Sequence, residues 1–175
     1  MLYKNHFIEI NQHVINLAEH PHVFYRAFKE ERESAIKSII KSAKQSRIFV
    51  VTDKKLKGND KLFYQDPKQI NEYGLYIKHD IDRLYALFRT VKPSVQTIDE
   101  LMELLGANDE RERYTLVIID EINKYKSNDF IYGLLTACQK GRAVGYHVIL
   151  MDENYSKNLM IMANVPYHLN EKEKN

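Results

Sequence analysis

Two spacings of apolar residues alternate along the chain, and the switches between them mark its elements. Phe7-Ile8-Glu9-Ile10 and His22-Val23-Phe24-Tyr25 read as short strands, separated by a polar connection containing Pro21. From Lys29 to Ala43 the apolar positions Ala35, Ile36, Ile39, Ile40 and Ala43 fall three and four apart. That spacing predicts a helix with one apolar stripe, and it puts Lys37, Lys41 and Lys44 on the opposite side. Arg47 to Thr52 is a continuous β-branched and aromatic run, which predicts a strand buried on both faces. Gly58-Asn59-Asp60 reads as a turn. Helical spacing returns over residues 78–91, and Pro93 stops it. Thr97-Ile98-Asp99-Glu100 is a capping box opening a further helix, which Gly106 ends.

Tyr114 to Asp120 is the strongest strand signal in the chain. A helix over Asp129–Lys140, a strand over Tyr146–Met151, a short helix over Ser156–Met162 and a strand at Tyr167–Leu169 complete the reading. Strands alternating with helices, and apolar on both faces, predict an α/β sandwich around a mainly parallel sheet.

Composition narrows the class. A chain of 175 residues suits one domain with one substantial core, residues 1–175 taken together. Hydrophobic residues make up 44% and charged residues 29%, which excludes disorder as the default state. The longest apolar run is about five residues, far short of the roughly 20 of a membrane span, and the polar start after Met1 does not read as a secretory leader. The one cysteine, Cys138, has no internal partner and sits on a helix beside Leu134 and Leu135, so we expect a buried, inert thiol in a cytosolic setting.

The net charge of +2 gives little pull toward nucleic acid, but its placement is uneven. Lys37, Lys41, Lys44, Arg47, Lys54, Lys55 and Lys57 are opposed over that stretch only by Asp53. The row Lys37, Lys41, Lys44 could track a phosphate backbone, yet such a row is more often the solvated face of an amphipathic helix. We read it so, and expect no nucleic-acid partner. His13, His20 and His22 lack a cysteine or a defined ligand spacing, so no metal site is expected.

The candidate chemistry lies where Leu116-Val117-Ile118-Ile119 runs into Asp120-Glu121. In a parallel sheet the carboxyl ends of strands open into the ligand crevice. There a first acid suits a magnesium ion and a second suits an attacking water, as in P-loop nucleotidases. The plain alternative is a pair of acids that ends a strand and starts a turn. One helix further on stand Arg142-Ala143-Val144-Gly145-Tyr146-His147, then Ala163-Asn164-Val165-Pro166. This succession resembles the motor domain of the FtsK/SpoIIIE family, and within it the type VII secretion ATPases of the EssC/EccC group. The resemblance runs from about His22 to Leu169 and is thin between residues 55 and 110. It implies a P-loop-NTPase-like, RecA/FtsK-type three-layer sandwich.

The same resemblance predicts a glycine-rich phosphate loop with a lysine between the strand at His22–Tyr25 and the following helix. The chain has Ala27-Phe28-Lys29-Glu30-Glu31-Arg32-Glu33-Ser34 instead. The loop's glycines fall on Ala27, on or near Glu30, and on Arg32, its lysine falls on Glu33, and only Ser34 is retained. After Met151, where the family has Thr-Gln, this chain has Asp152-Glu153. A phosphate loop works through closely spaced backbone N–H groups and a neutralising lysine, and these acids would repel a triphosphate.

The expectation is a degenerate ATPase-like domain without catalytic residues, in which Asp120 and Glu121 are a remnant. No cofactor is expected; ATP and magnesium would bind only if the chain were instead a DNA or protein translocase with an atypical phosphate loop. Arg142 is a candidate inter-subunit arginine; alternatively it meets the carbonyl end of the helix that Gly141 closes, and Gly145 serves the turn. The resemblance implies as partners other ATPase domains of the same secretion motor and secreted substrate proteins. It also implies an oligomer of the full-length protein, on the cytosolic face of a membrane-anchored assembly.

Overall fold

A computed structural model describes residues 6–43, 46–53, 56, 62–65, 70–106 and 114–173. The predicted turn at Gly58–Asp60 and the lysines Lys44, Lys54, Lys55 and Lys57 lie outside them. Six strands form one parallel sheet: β3 (His22–Arg26), β4 (Arg47–Val51), β5 (Leu62–Gln65), β6 (Thr115–Asp120), β7 (Tyr146–Asp152) and β8 (Tyr167–Asn170), in the order β5-β4-β6-β7-β3-β8. Every pairing in it is parallel.

Alternation along each central strand divides the core into two halves. Val23, Tyr25, Ile48, Val50, Leu116, Ile118, Ile149 and Met151 point to one face, where helix α1 (Lys29–Ser42) supplies Ala35, Ile36 and Ile39. Phe24, Phe49, Val51, Val117, Ile119, Val148 and Leu150 point to the other. That second face is covered by α2 (Ile70–Thr90), α3 (Ile98–Leu105), α4 (Asn128–Lys140) and α5 (Leu159–Asn164). The result is a three-layer α/β sandwich, and burial on both faces is why β6 and β7 are apolar without interruption.

Phe7–Ile10 is a strand, β1, but it stays out of the parallel sheet. It pairs antiparallel with β2 (His13–Asn16), and this hairpin lies over α1. Asn11 makes the hairpin's turn in the left-handed region, at φ 53°, where asparagine is among the residues that tolerate it. Its side-chain amide donates to the Tyr25 hydroxyl at 2.8 Å. The N–H groups of Glu9 in β1 and Asn11 in the turn donate to Ser42 and Ser38 of α1.

Helix α2 begins at Ile70, eight residues before the periodic stretch read from sequence, because Tyr73, Gly74 and Ile77 continue its buried stripe. Gly74 does not break the helix; it lets α4 approach. A Cβ on Gly133 of α4 would stand 2.6 Å from the Gly74 Cα, so the two glycines are the crossing point of the helices. At α3 half of the capping box forms: Thr97 accepts from the Glu100 N–H at 3.3 Å, while the Glu100 carboxylate accepts the N–H of Gln96, one residue before the cap, at 2.7 Å. Helix α5 is capped by Asn158, which accepts from the N–H groups of Met160 and Ile161.

Candidate functional site

The carboxyl ends of β3, β6 and β7 meet at one mouth of the sheet. Only Ala27 and Phe28 separate β3 from α1, so Glu30, Arg32, Glu33 and Ser34 are helical residues and only Ala27 of the aligned loop positions is not. The Ala27 N–H is already spent on the Asp152 carbonyl, at 3.1 Å. Glu30 and Glu31 are exposed in the first turn of α1, where they suit the positive end of the helix.

Arg32 points inward from that turn. It is 4% exposed, and Asp120 at the end of β6 is 7% exposed. The Arg32 Nε donates to Asp120 Oδ1 at 2.7 Å, and its Nη1 donates to the Ala27 carbonyl at 2.9 Å. Asp120 Oδ1 also accepts the N–H of Glu121 at 3.0 Å. Glu121 itself takes a left-handed conformation, at φ 55°. That bend turns its side chain toward Lys124, which it meets in an ion pair, and Lys124 also donates to Asp53 Oδ2 at 2.7 Å. Hydrogen bonds from Lys124 hold the Asp53 carboxyl below its ordinary range, and those from Asp53 and Glu121 hold the ammonium of Lys124 above its own. Asp152 orders the adjoining loops: its Oδ2 accepts the Asn123 N–H at 3.0 Å and its Oδ1 that of Asn154 at 3.1 Å.

These groups do not fit the magnesium triphosphate that a P-loop-type fold implies. A phosphate cradle needs several free N–H groups in succession, a cation aimed at the phosphates and a carboxylate open to metal. Here the junction is two residues long, the helix start presents glutamates, and the Asp120 carboxylate at the end of β6 carries an internal guanidinium.

Beside the mouth is a groove of about 710 Å³, with Ile122, Tyr125, Lys126, Ile131, Lys157 and Ile161 in its walls. The first turn of α5, next to it, leaves Leu159 and Met160 81% and 60% exposed. Sequence reading missed this groove and missed the roles of Arg32, Lys124 and Asp53. The one available signal was Arg32 itself, a cation placed where a glycine belongs.

The remaining candidates fall elsewhere. Arg142 lies at the opposite, amino-terminal edge of the sheet, where its Nη2 donates to the Ala18 carbonyl at 2.7 Å. Gly145 makes the turn into β7 at φ 79°. Lys37 and Lys41 are on the exposed side of α1. His13 pairs with Glu171, His20 stacks on Tyr167 at 3.8 Å, and His22 donates to the Cys138 carbonyl at 3.0 Å. Among the described residues no three His, Cys, Asp or Glu side chains are grouped to hold a metal, and no helix is long and apolar enough to cross a membrane.

No protein-family model matches the sequence, and no curated protein sequence matches it. Solved structures do match the fold. EssC (ATPases 2 and 3) from Geobacillus thermodenitrificans superposes with a TM-score of 0.63 and 16% identity, over 93% of this chain and 35% of its own. The pCW3 conjugation coupling protein TcpA, a monomer with ATPγS, does so with a TM-score of 0.66 and 14% identity, over 95% of this chain and 56% of its own. Thermomonospora curvata EccC (ATPases 2 and 3), in complex with a signal sequence peptide, gives 0.61 and 11% identity, over 87% and 31%. The chain therefore spans about a third to a half of these proteins. It has the fold of FtsK/SpoIIIE-type ATPase domains such as those of EssC and EccC.

Proposed function

We propose that this chain is a non-catalytic ATPase-like domain of a type VII protein secretion motor, acting in substrate recognition or in regulation of neighbouring motor domains. The observation that carries this reading is the Arg32–Asp120 contact: the carboxylate that a working motor would offer to magnesium is satisfied from within. Fold likeness to EssC and EccC supports the secretion context, and the peptide bound in one EccC structure supports a docking role. In this reading the domain works through its surface. The groove beside the mouth, lined by three isoleucines, Tyr125, two lysines, Asp152 and several amide and hydroxyl side chains, suits a segment of a secreted substrate or of an adjacent motor domain. The domain would then act inside a larger membrane-anchored assembly, on its cytosolic side, and without nucleotide.

The experiment measures binding of a type VII signal sequence peptide, and of a neighbouring motor domain, to the wild type and to Leu159→Asp/Met160→Asp. Micromolar binding lost in the variant supports docking here. Equal binding by both proteins would remove this surface from the account.

A further inference from the structure

At the amino-terminal edge of the sheet three histidines come together, away from the mouth. His6 leads into β1, His22 opens β3 and His147 stands second in β7. The His6 ring stacks on Tyr114 at 4.1 Å and meets the His147 ring edge-on at 5.2 Å. Its Nε2 is 2.9 Å from the Ser46 hydroxyl, while its carbonyl accepts the Leu17 N–H at 2.9 Å and so closes the base of the β1–β2 hairpin. His22 is committed at both nitrogens: Nδ1 accepts the Val148 N–H at 3.1 Å and Nε2 donates to the Cys138 carbonyl at 3.0 Å. That pattern requires a neutral ring, since a second ring proton would sit against a backbone N–H. His147 is wholly buried, and its Nδ1 donates to the Pro21 carbonyl at 3.0 Å.

We propose that these histidines form an acid-labile latch that fastens the β1–β2 hairpin to the sheet. His6 anchors the base of the hairpin by stacking into the buried cluster, while Asn11 and His13 hold its far end to Tyr25 and Glu171. Protonation of His6 or His147 in place would put a charge among aromatic rings. Among the described residues, the other ionisable groups around the rings are Arg142 on the turn before β7, Tyr114 with its acceptor Asp99 on α3, and the Cys138 thiol on α4. Arg142 opposes protonation of both His22 and His147.

Burial pushes His6 and His22 down to about 4, and His147 well below its ordinary value. The opened hairpin frees His6 and exposes His147, and both then titrate near 6.5. The opened form therefore binds protons that the closed form refuses. The latch is at full strength above about pH 6.5 and weakens as pH falls from there toward 4. Opening uncovers Ile8, Ile10, Ile15 and Leu17 together with the stripe of α1 beneath them.

Hydrogen exchange of the whole chain at pH 7 and pH 5, corrected for intrinsic rates, reads the opening directly. Two histidines titrating on opening predict that the opening constant of the hairpin amides rises several hundred-fold on the order of magnitude, with β3, β6 and β7 still protected. His6→Phe keeps a ring against Tyr114 and removes one titration, which reduces the rise to about twenty-fold. A rise below about ten-fold in the wild type, equal acid sensitivity in His6→Phe, or loss of the hairpin only together with the sheet would each overturn the latch.

Discussion

Arg32 on α1 and Asp120 on β6, a strand separated from β3 by β7 in the sheet, are joined by a 2.7 Å ion pair. The pair fastens the start of the first helix to the end of the strongest strand. Two buried charges at hydrogen-bonding distance stabilise each other, but their removal from water offsets most of that gain. The cost of breaking the pair is therefore larger than the net worth of having it.

Arg32→Ala leaves Asp120 buried with only the Glu121 N–H, and should lower stability by about 3–5 kcal/mol in urea unfolding. The double variant Arg32→Met/Asp120→Leu should recover most of that loss. If Arg32→Ala unfolds within about 1 kcal/mol of the wild type, the contact is not a structural tie.

Gly133→Ala sets a Cβ 2.3 Å from the Gly74 carbonyl oxygen, which is backbone and cannot step aside. Alanine's better helix propensity returns about 1 kcal/mol, while forcing α2 and α4 apart costs more, so a net loss of about 1–3 kcal/mol is expected. A thermal melt with an unchanged or raised Tm would show that the helices do not need this contact.

Asp80 on α2 gathers the starts of three strands: Arg47 of β4 reaches it at 2.8 Å and also holds Thr115 of β6, while Tyr146 of β7 donates its hydroxyl. Burial alone would raise the Asp80 carboxyl, but the Tyr146 hydroxyl and the guanidinium groups of Arg47 and Arg83 outweigh it and hold it below the ordinary range. A depressed carboxyl contributes stability above its unfolded value near 4, lost as pH falls through the lower folded value. The stability gap between wild type and Asp80→Asn should thus be constant from pH 7 to about 5 and narrow progressively as pH falls below 4. A gap as wide at pH 3 as at pH 7 would contradict this assignment.

Burial pushes the Cys138 thiol up to about 12. At pH 8 its thiolate fraction is then about a thousand-fold below that of an ordinary cysteine, and a disulfide reagent should react with the native protein correspondingly slowly. Reaction at the rate of the urea-unfolded chain would refute this.

Much of the fold was legible because each central strand is apolar on both faces, a pattern only a sheet covered on both sides produces. Leu116 to Ile119 fixed the place of the carboxylates in the same way. The hairpin partner β2 was not legible, since of its four residues only Ile15 is buried and the periodic signal vanishes. The first turns of α2 were hidden by Gly74, whose value lies in a contact with α4 that no local pattern reveals. The residues standing where the resemblance expects a phosphate loop were readable one by one, but the fate of Arg32 was not. An arginine in the first turn of a helix ordinarily faces water, and only the parallel order β6-β7-β3 brings Asp120 within its reach.

The central claim is that the mouth of this sheet has no place for a nucleotide. Calorimetric titration of the intact chain with Mg-ATP tests it directly. The account predicts no binding in the micromolar range and no phosphate release; micromolar binding with turnover abolished by Glu121→Gln would contradict it and make the chain a working translocase ATPase with an atypical phosphate loop.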